Sequence, residues 1–250
     1  TGDLIASVVG AAAGDNLGLA VARAGHVDAD SNDDIVIGVP KADVEVVDSK
    51  PLKDAGRALV CSGAGIVASS TCDAATALFL VDGITAGDWL GRSVAGAGDV
   101  NGDGLDDVIV GMPKADVSDK KDAGTAVVYD GATGQEWAQV TGENAADWFG
   151  YAVSGAGDLD GDGYADIAVG AYKHDVVNDV TSKLMKDAGA VYAYSCAIQD
   201  ACQPLFVSYG EAAGDRFGYS VAAGGDLDAD GQPDVVAGAP GRDTVLPPAV

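Results

Sequence analysis

Three nine-residue stretches of the chain repeat one arrangement of oxygen-bearing side chains. They are Asp99-Val100-Asn101-Gly102-Asp103-Gly104-Leu105-Asp106-Asp107, Asp158-Leu159-Asp160-Gly161-Asp162-Gly163-Tyr164-Ala165-Asp166 and Asp226-Leu227-Asp228-Ala229-Asp230-Gly231-Gln232-Pro233-Asp234. Positions 1, 3, 5 and 9 are Asp or Asn in every copy, and position 6 is Gly, which permits a sharp backbone reversal. Carboxylates packed this closely repel one another unless a cation lies between them. A hard cation that takes six to eight oxygen ligands fits such a loop, whereas zinc or copper would draw on His or Cys. Asp and Gly also make ordinary turns, so a single copy would carry little weight. Three copies with donors in the same four places favour metal. An EF-hand is excluded, because it needs flanking helices and a Glu at position 12, where these copies have Val110, Val169 and Ala237. A fourth copy, His26-Val27-Asp28-Ala29-Asp30-Ser31-Asn32-Asp33-Asp34, has His at position 1 and Ser in place of Gly. Asp28, Asp30, Asn32 and Asp34 remain there as a degenerate site, expected to bind weakly or not at all.

These loops recur because the whole chain repeats. Each copy opens on Asp-x-Φ-Gly, at Asp15-Asn16-Leu17-Gly18, Asp88-Trp89-Leu90-Gly91, Asp147-Trp148-Phe149-Gly150 and Asp215-Arg216-Phe217-Gly218. A strand of small and apolar residues follows, then the Asp-rich loop, then an apolar strand ending in Gly38-Val39-Pro40, Gly111-Met112-Pro113, Gly170-Ala171-Tyr172 or Gly238-Ala239-Pro240. After a polar loop the first three copies share Lys-Asp-Ala-Gly (from Lys53, Lys121 and Lys186), and two more strands close the unit. About four strands per repeat, with no helical periodicity between them, predict an all-β fold: a β-propeller of four-stranded antiparallel blades. A β-sandwich is the runner-up, but sandwiches do not repeat internally so faithfully. The repeats are expected at about 15–87, 88–146, 147–214 and 215–250, with 1–14 as the last strand of a preceding blade. Beginning and ending inside a blade, the chain is expected to be a piece of a larger propeller.

Composition agrees. The 250 residues carry 39 Asp+Glu against 14 Lys+Arg, a net charge of −25, which disfavours nucleic acid and anionic lipid as partners. Hydrophobic residues make up 48%, too many for a disordered acidic chain. No apolar run is long enough to insert into a membrane. Of the acids only Glu45, Glu136, Glu143 and Glu211 are glutamate, so the acid is almost all Asp, the residue of turns and oxygen cages.

Phe-Gly, the Asp-x-Asp-x-Asp-Gly-x-x-Asp loop and Gly-Ala-Pro, in that order and over nearly the whole chain, resemble the FG-GAP repeat of integrin α-subunit propellers and related bacterial extracellular proteins. Leu17 and Leu90 depart from the family Phe, and Tyr172 from the Pro. The resemblance implies calcium in each intact loop, so three sites and a degenerate fourth, with the carbonyls of Leu105, Tyr164 and Gln232 as further ligands. It also implies seven blades in a complete propeller.

The cysteines fall into two close pairs, Cys61/Cys72 and Cys196/Cys202, each bracketing the turn between third and fourth strands. A disulfide closing each loop fits both and implies an oxidising compartment. Buried free thiols would rarely land at matching repeat positions, and neither spacing makes a zinc knuckle. His26 and His174 lack a nucleophile context and are expected in solvated or turn roles. Trp89 and Trp148 are expected to pack between blades, although an exposed Trp could also stack on sugar.

The functional expectation is a non-catalytic extracellular calcium-binding module for adhesion, taking a protein or glycan ligand. One alternative is a propeller belonging to an extracellular hydrolase or lyase; another is a structural subunit of a surface assembly. Strands alternate direction, so the variable loops 41–54, 114–122 and 173–187 should lie opposite the metal loops and form the ligand face.

Overall fold

A computed structural model of the chain describes residues 7–69, 71–178 and 180–242. Its elements run β1 (Ser7–Val8), β2 (Ala20–Gly25), β3 (Asp34–Val39), β4 (Arg57–Cys61), α1 (Gly63–Ser69), β5 (Thr71–Cys72) and β6 (Phe79–Asp82). Next come β7 (Ser93–Gly98), β8 (Asp107–Met112), β9 (Thr125–Tyr129), β10 (Glu136–Thr141), β11 (Ala152–Gly157) and β12 (Asp166–Ala171). The chain continues through β13 (Val176–Val177), β14 (Leu184–Met185), β15 (Ala190–Ile198), β16 (Ala201–Tyr209), β17 (Ser220–Gly225) and β18 (Asp234–Gly238).

Among the described residues three four-stranded antiparallel sheets form the blades, in the orders β2-β3-β4-β6, β7-β8-β9-β10 and β11-β12-β15-β16. The hairpin β17-β18 begins a fourth. Sequential antiparallel strands in repeated sheets are the blade arrangement that the sequence predicts. The innermost strands β2, β7, β11 and β17 lie side by side, and their Ala, Ser and Gly residues allow that approach. Apolar cores fill the spaces between blades. Ala24, Val36, Val60, Leu90, Val108 and Val127 join the first two blades; Ile109, Val128, Phe149, Ile167 and Tyr192 join the second and third. Burying a ring such as Phe149, 1% exposed, contributes roughly 2–3 kcal/mol.

The Lys-Asp-Ala-Gly motif locks one blade to the next. The N–H groups of Leu90, Phe149 and Phe217 donate to the carbonyls of Ala55, Ala123 and Ala188, each at 2.9–3.0 Å. Parallel bridges Gly56–Leu90, Gly124–Phe149 and Gly189–Phe217 complete the contact. At Gly124 φ is +89°, and a Cβ there would stand 2.1 Å from the Phe149 carbonyl oxygen, so only glycine fits.

One feature differs from expectation. The loop bracketed by Cys61 and Cys72 holds a short helix, α1, because the ten residues between the cysteines leave room for about two turns. Of the expected last strand of a preceding blade, 1–14, residues 1–6 lie outside the described residues. Ser7 and Val8 pair in parallel with Thr71 and Cys72 of that same disulfide loop.

Candidate metal centre

Each Asp-rich loop joins the first strand of a blade to the second and is built by its own side chains. The position-1 carboxylate bends the backbone around itself: Asp99, Asp158 and Asp226 accept the position-5 N–H at 3.1 Å through Oδ1. Through Oδ2 they accept the N–H of Gly104, Gly163 and Gly231 at 2.9–3.0 Å. Those glycines have φ of +91°, +92° and +95°, the reversal expected of position 6. The position-3 Oδ1 of Asn101, Asp160 and Asp228 accepts the position-5 N–H at 2.9–3.1 Å. The position-5 Oδ1 of Asp103, Asp162 and Asp230 accepts the N–H of Leu105, Tyr164 and Gln232, each at 2.9 Å. Position 9 starts the next strand, and its Oδ2 accepts the N–H of Val100, Leu159 or Leu227 at 2.6–2.9 Å.

This hydrogen bonding orients the carboxylates inward. Asp158, Asp160 and Asp166 each offer an oxygen within 4.8 Å of the others, as do Asp226, Asp228 and Asp234. In the loop 99–107 position 3 is an amide, and Asn101 Nδ2 lies 3.4 Å from Asp103 Oδ2. Burial pushes Asp166 up to about 6, with Asp160, Asp162 and Asp158 adding to the shift against the Leu159 N–H. Burial likewise pushes Asp107 up to about 7 against the N–H groups of Gly131 and Val100. Among the described residues, Asp166 Oδ1 is buried without a hydrogen-bond partner. Converging hard oxygens, one of them orphaned, fit a divalent cation.

The loop 26–34 keeps part of this scaffold: Asp28 and Asp30 accept the N–H groups of Asp30 and Asn32 at 2.8 and 2.6 Å. His26 Nδ1 stands 3.2 Å from the Asn32 carbonyl oxygen, at position 7. The imidazole thus engages the carbonyl that the other loops leave free.

Third-to-fourth strand turns lie on the metal face, since Gly63 and Gly131 donate to Asp34 and Asp107. The blade openings and the 41–54, 114–122 and 173–187 loops meet on the opposite face. There the N–H groups of Lys41, Lys114 and Lys173 donate to the carbonyls of Asp15, Asp88 and Asp147. Cations and rings alternate across that face. Lys114 Nζ lies 4.0 Å from the Trp89 ring and 5.5 Å from Trp148, and Lys173 Nζ lies 3.5 Å from Trp148. Trp89 and Trp148 pack edge to face, 6.2 Å apart, across the blade boundary as expected. Arg92 stacks 4.0 Å over Tyr151, which neighbours Tyr172 and Tyr219. The sequence did not reveal this row; Lys followed by x-Asp at the same place in three copies was the available signal.

His174 corrects the sequence reading. It is not solvated but 6% exposed, with Nδ1 2.8 Å from Asp147 Oδ2. Burial alone would lower its pKa, but the hydrogen bond and charge of Asp147 prevail and hold it above 6.5. His26 is exposed, as expected of a turn residue. The cysteines pair as Cys61–Cys72 and Cys196–Cys202.

Comparison with known proteins gives the same outline. The FG-GAP repeat profile matches residues 149–194 and 217–248, and the FG-GAP-like repeat profile matches 99–169, together just over half of the chain. Integrin alpha-5 of Xenopus laevis is 33% identical over 152 residues, covering 61% of this chain and 14% of that protein. Integrin alpha-V of Gallus gallus is 33% identical over 154 residues, with the same two shares of 61% and 14%. Integrin alpha-PS2 of Drosophila melanogaster is 31% identical over 184 residues, covering 69% and 12%. The chain therefore spans about an eighth of these relatives. Among solved structures, the exotype rhamnogalacturonan lyase YesX superposes with a TM-score of 0.53 at 16% identity, over 87% of this chain and 38% of that one. The Bacillus licheniformis rhamnogalacturonan lyase PL11 gives 0.51 at 15%, over 87% and 39%. At such identity the likeness speaks for the propeller fold alone.

Proposed function

Because this chain belongs to the FG-GAP repeat family, we propose that it is a calcium-stiffened propeller module that binds an extracellular protein or glycan in adhesion, without turnover. In this reading its repeats run at about 15–87, 88–146, 147–214 and 215–250. The observation that carries the metal reading is the convergence of carboxylates in 158–166 and 226–234, with no basic side chain paired to them among the described residues. In the intact loops, side chains at positions 1, 3, 5 and 9 and the carbonyl at position 7 hold the ion: Asp99, Asn101, Asp103, Leu105 and Asp107; Asp158, Asp160, Asp162, Tyr164 and Asp166; Asp226, Asp228, Asp230, Gln232 and Asp234. Calcium supplies positive charge that lets buried carboxylates stay ionised.

The Asp-rich loops repeat one ligand pattern in three copies and in this reading are occupied with the ion, so ligand contacts are assigned to the cation–ring row Lys114, Trp148, Lys173 and Tyr151 on the other face. There the residue before Leu-Gly or Phe-Gly takes a left-handed φ of 55–62° in all four copies, twice as Trp. Such backbone costs of order 1 kcal/mol per residue, and at Trp89 and Trp148 it accompanies the rings that the lysines cover. Two disulfides suit an extracellular site. Among the described residues no helix is long and apolar enough to cross a membrane.

The test is attachment of the native chain and of Lys114→Ala/Lys173→Ala to arrayed extracellular-matrix proteins and glycans. Loss of attachment with an unchanged melting curve supports the reading. Normal attachment by the double variant, or turnover of an arrayed glycan, contradicts it.

A further inference from the structure

The ninth-position aspartates Asp34, Asp107 and Asp166 are all 0% exposed, yet their second oxygens have different fates. Asp34 Oδ1 accepts the N–H of Gly63 at 2.9 Å, and Asp107 Oδ1 accepts that of Gly131 at 2.9 Å. Asp166 Oδ1 is buried with no hydrogen-bond partner among the described residues.

The cause lies where the third strand leaves the blade. Ile35, Val108 and Ile167 stand opposite Cys61, Tyr129 and Tyr194. Two residues beyond these come Gly63, Gly131 and Cys196. The glycines turn back so tightly over the metal loop that a Cβ on either would stand 2.1 Å from a carbonyl oxygen, that of Asp33 or of Asp106. Cys196 carries a Cβ and cannot follow that path. Instead β15 runs on to Ile198, Cys202 closes the hairpin, and the Cys196 carbonyl accepts the Trp137 indole N–H at 2.8 Å.

We propose that this exchange of glycine for cysteine makes the loop 158–166 the strongest divalent-cation site in the chain, with Asp166 as the ligand that sets its affinity. The inference rests on the calcium reading above. In the loop 99–107 a cation competes with the Gly131 N–H for Asp107 Oδ1, and Asn101 supplies one negative charge fewer. In 226–234 Asp234 is partly exposed, so water solvates it before any ion arrives. In 158–166 a buried anionic oxygen has no partner until a cation supplies one, and the relief of that burial appears as affinity. Calcium therefore fills 158–166 first, roughly ten-fold or more ahead of 99–107.

The experiment is calorimetric titration of the metal-stripped full chain with calcium chloride, comparing native protein, Asp166→Asn and Asp107→Asn, each checked for fold by circular dichroism. The native chain should show one step at least roughly ten-fold tighter than the rest; Asp166→Asn should abolish that step and Asp107→Asn should leave it. Should Asp166→Asn not fold, the exposed ligands substitute: Asp160→Asn should weaken the tightest step, and Asp103→Asn should not. Equal steps in the native chain overturn the ranking, and so does a tight step lost with Asp107→Asn or Asp103→Asn. In those cases calcium still binds and the metal reading survives. A native chain that takes up no calcium overturns both.

Discussion

His174 Nδ1 lies 2.8 Å from Asp147 Oδ2, with the two side chains 7% and 4% exposed, so a polar loop is pinned to the blade opening beneath it. In the other blades Ala42 and Ala115 stand where His174 does, and Asp88, without such a partner, is pushed up to about 6 chiefly by burial. A histidine whose folded pKa is raised above 6.5 stabilises the fold fully below that value, and the contribution disappears as pH rises through the folded value. His174→Gln, melted in saturating calcium, should therefore lose most near pH 5.5, roughly 2 kcal/mol, and little near pH 8.5. A loss independent of pH would mean that His174 contributes packing alone.

Gly124→Ala should destabilise the chain by roughly 3 kcal/mol or more, since a Cβ would meet the Phe149 carbonyl and φ is left-handed. Urea unfolding in saturating calcium measures it. The metal loops are untouched, so calcium stoichiometry should not change. A loss under 1 kcal/mol would contradict the locking role of Lys-Asp-Ala-Gly.

The repeat, the positions of the three Asp-rich loops between first and second strands and both disulfides were legible because each is written in local spacing and copied along the chain. The role of His174 was not. Its partner Asp147 is 27 residues away, and only the blade boundary brings them together. Lys-Asp-Ala-Gly was visible as a motif, but its purpose depends on a close approach to the next blade. The orphaned oxygen of Asp166 was equally hidden, because it follows from the absence of a hydrogen bond that a distant glycine makes elsewhere.

Non-reducing peptide mapping should recover Cys61–Cys72 and Cys196–Cys202 as separate linkages, at sequence separations of 11 and 6. Replacing either pair by Ser should cost roughly 2–3 kcal/mol, the amount that loop closure over so few residues provides. Linkage between the pairs would contradict the blade assignment.

Asp162→Ala should remove one calcium from the measured stoichiometry, whereas Asp30→Ala should remove none. In the loop of Asp30 the position-1 carboxylate is replaced by His26, whose ring engages the Asn32 carbonyl. Equal losses from the two variants would show that the loop 26–34 is a working site.

The most direct test is the melting curve of the native chain with calcium, after chelation with EDTA, and after calcium is restored. Removing the ion leaves Asp158, Asp160 and Asp166, and likewise Asp226, Asp228 and Asp234, facing one another within 4.8 Å. Each site held at a hundred times its Kd adds about 2.7 kcal/mol, so chelation should lower the melting temperature by several degrees and calcium should restore it. A curve that EDTA leaves unmoved would contradict the account, making the loops acidic turns and nothing more.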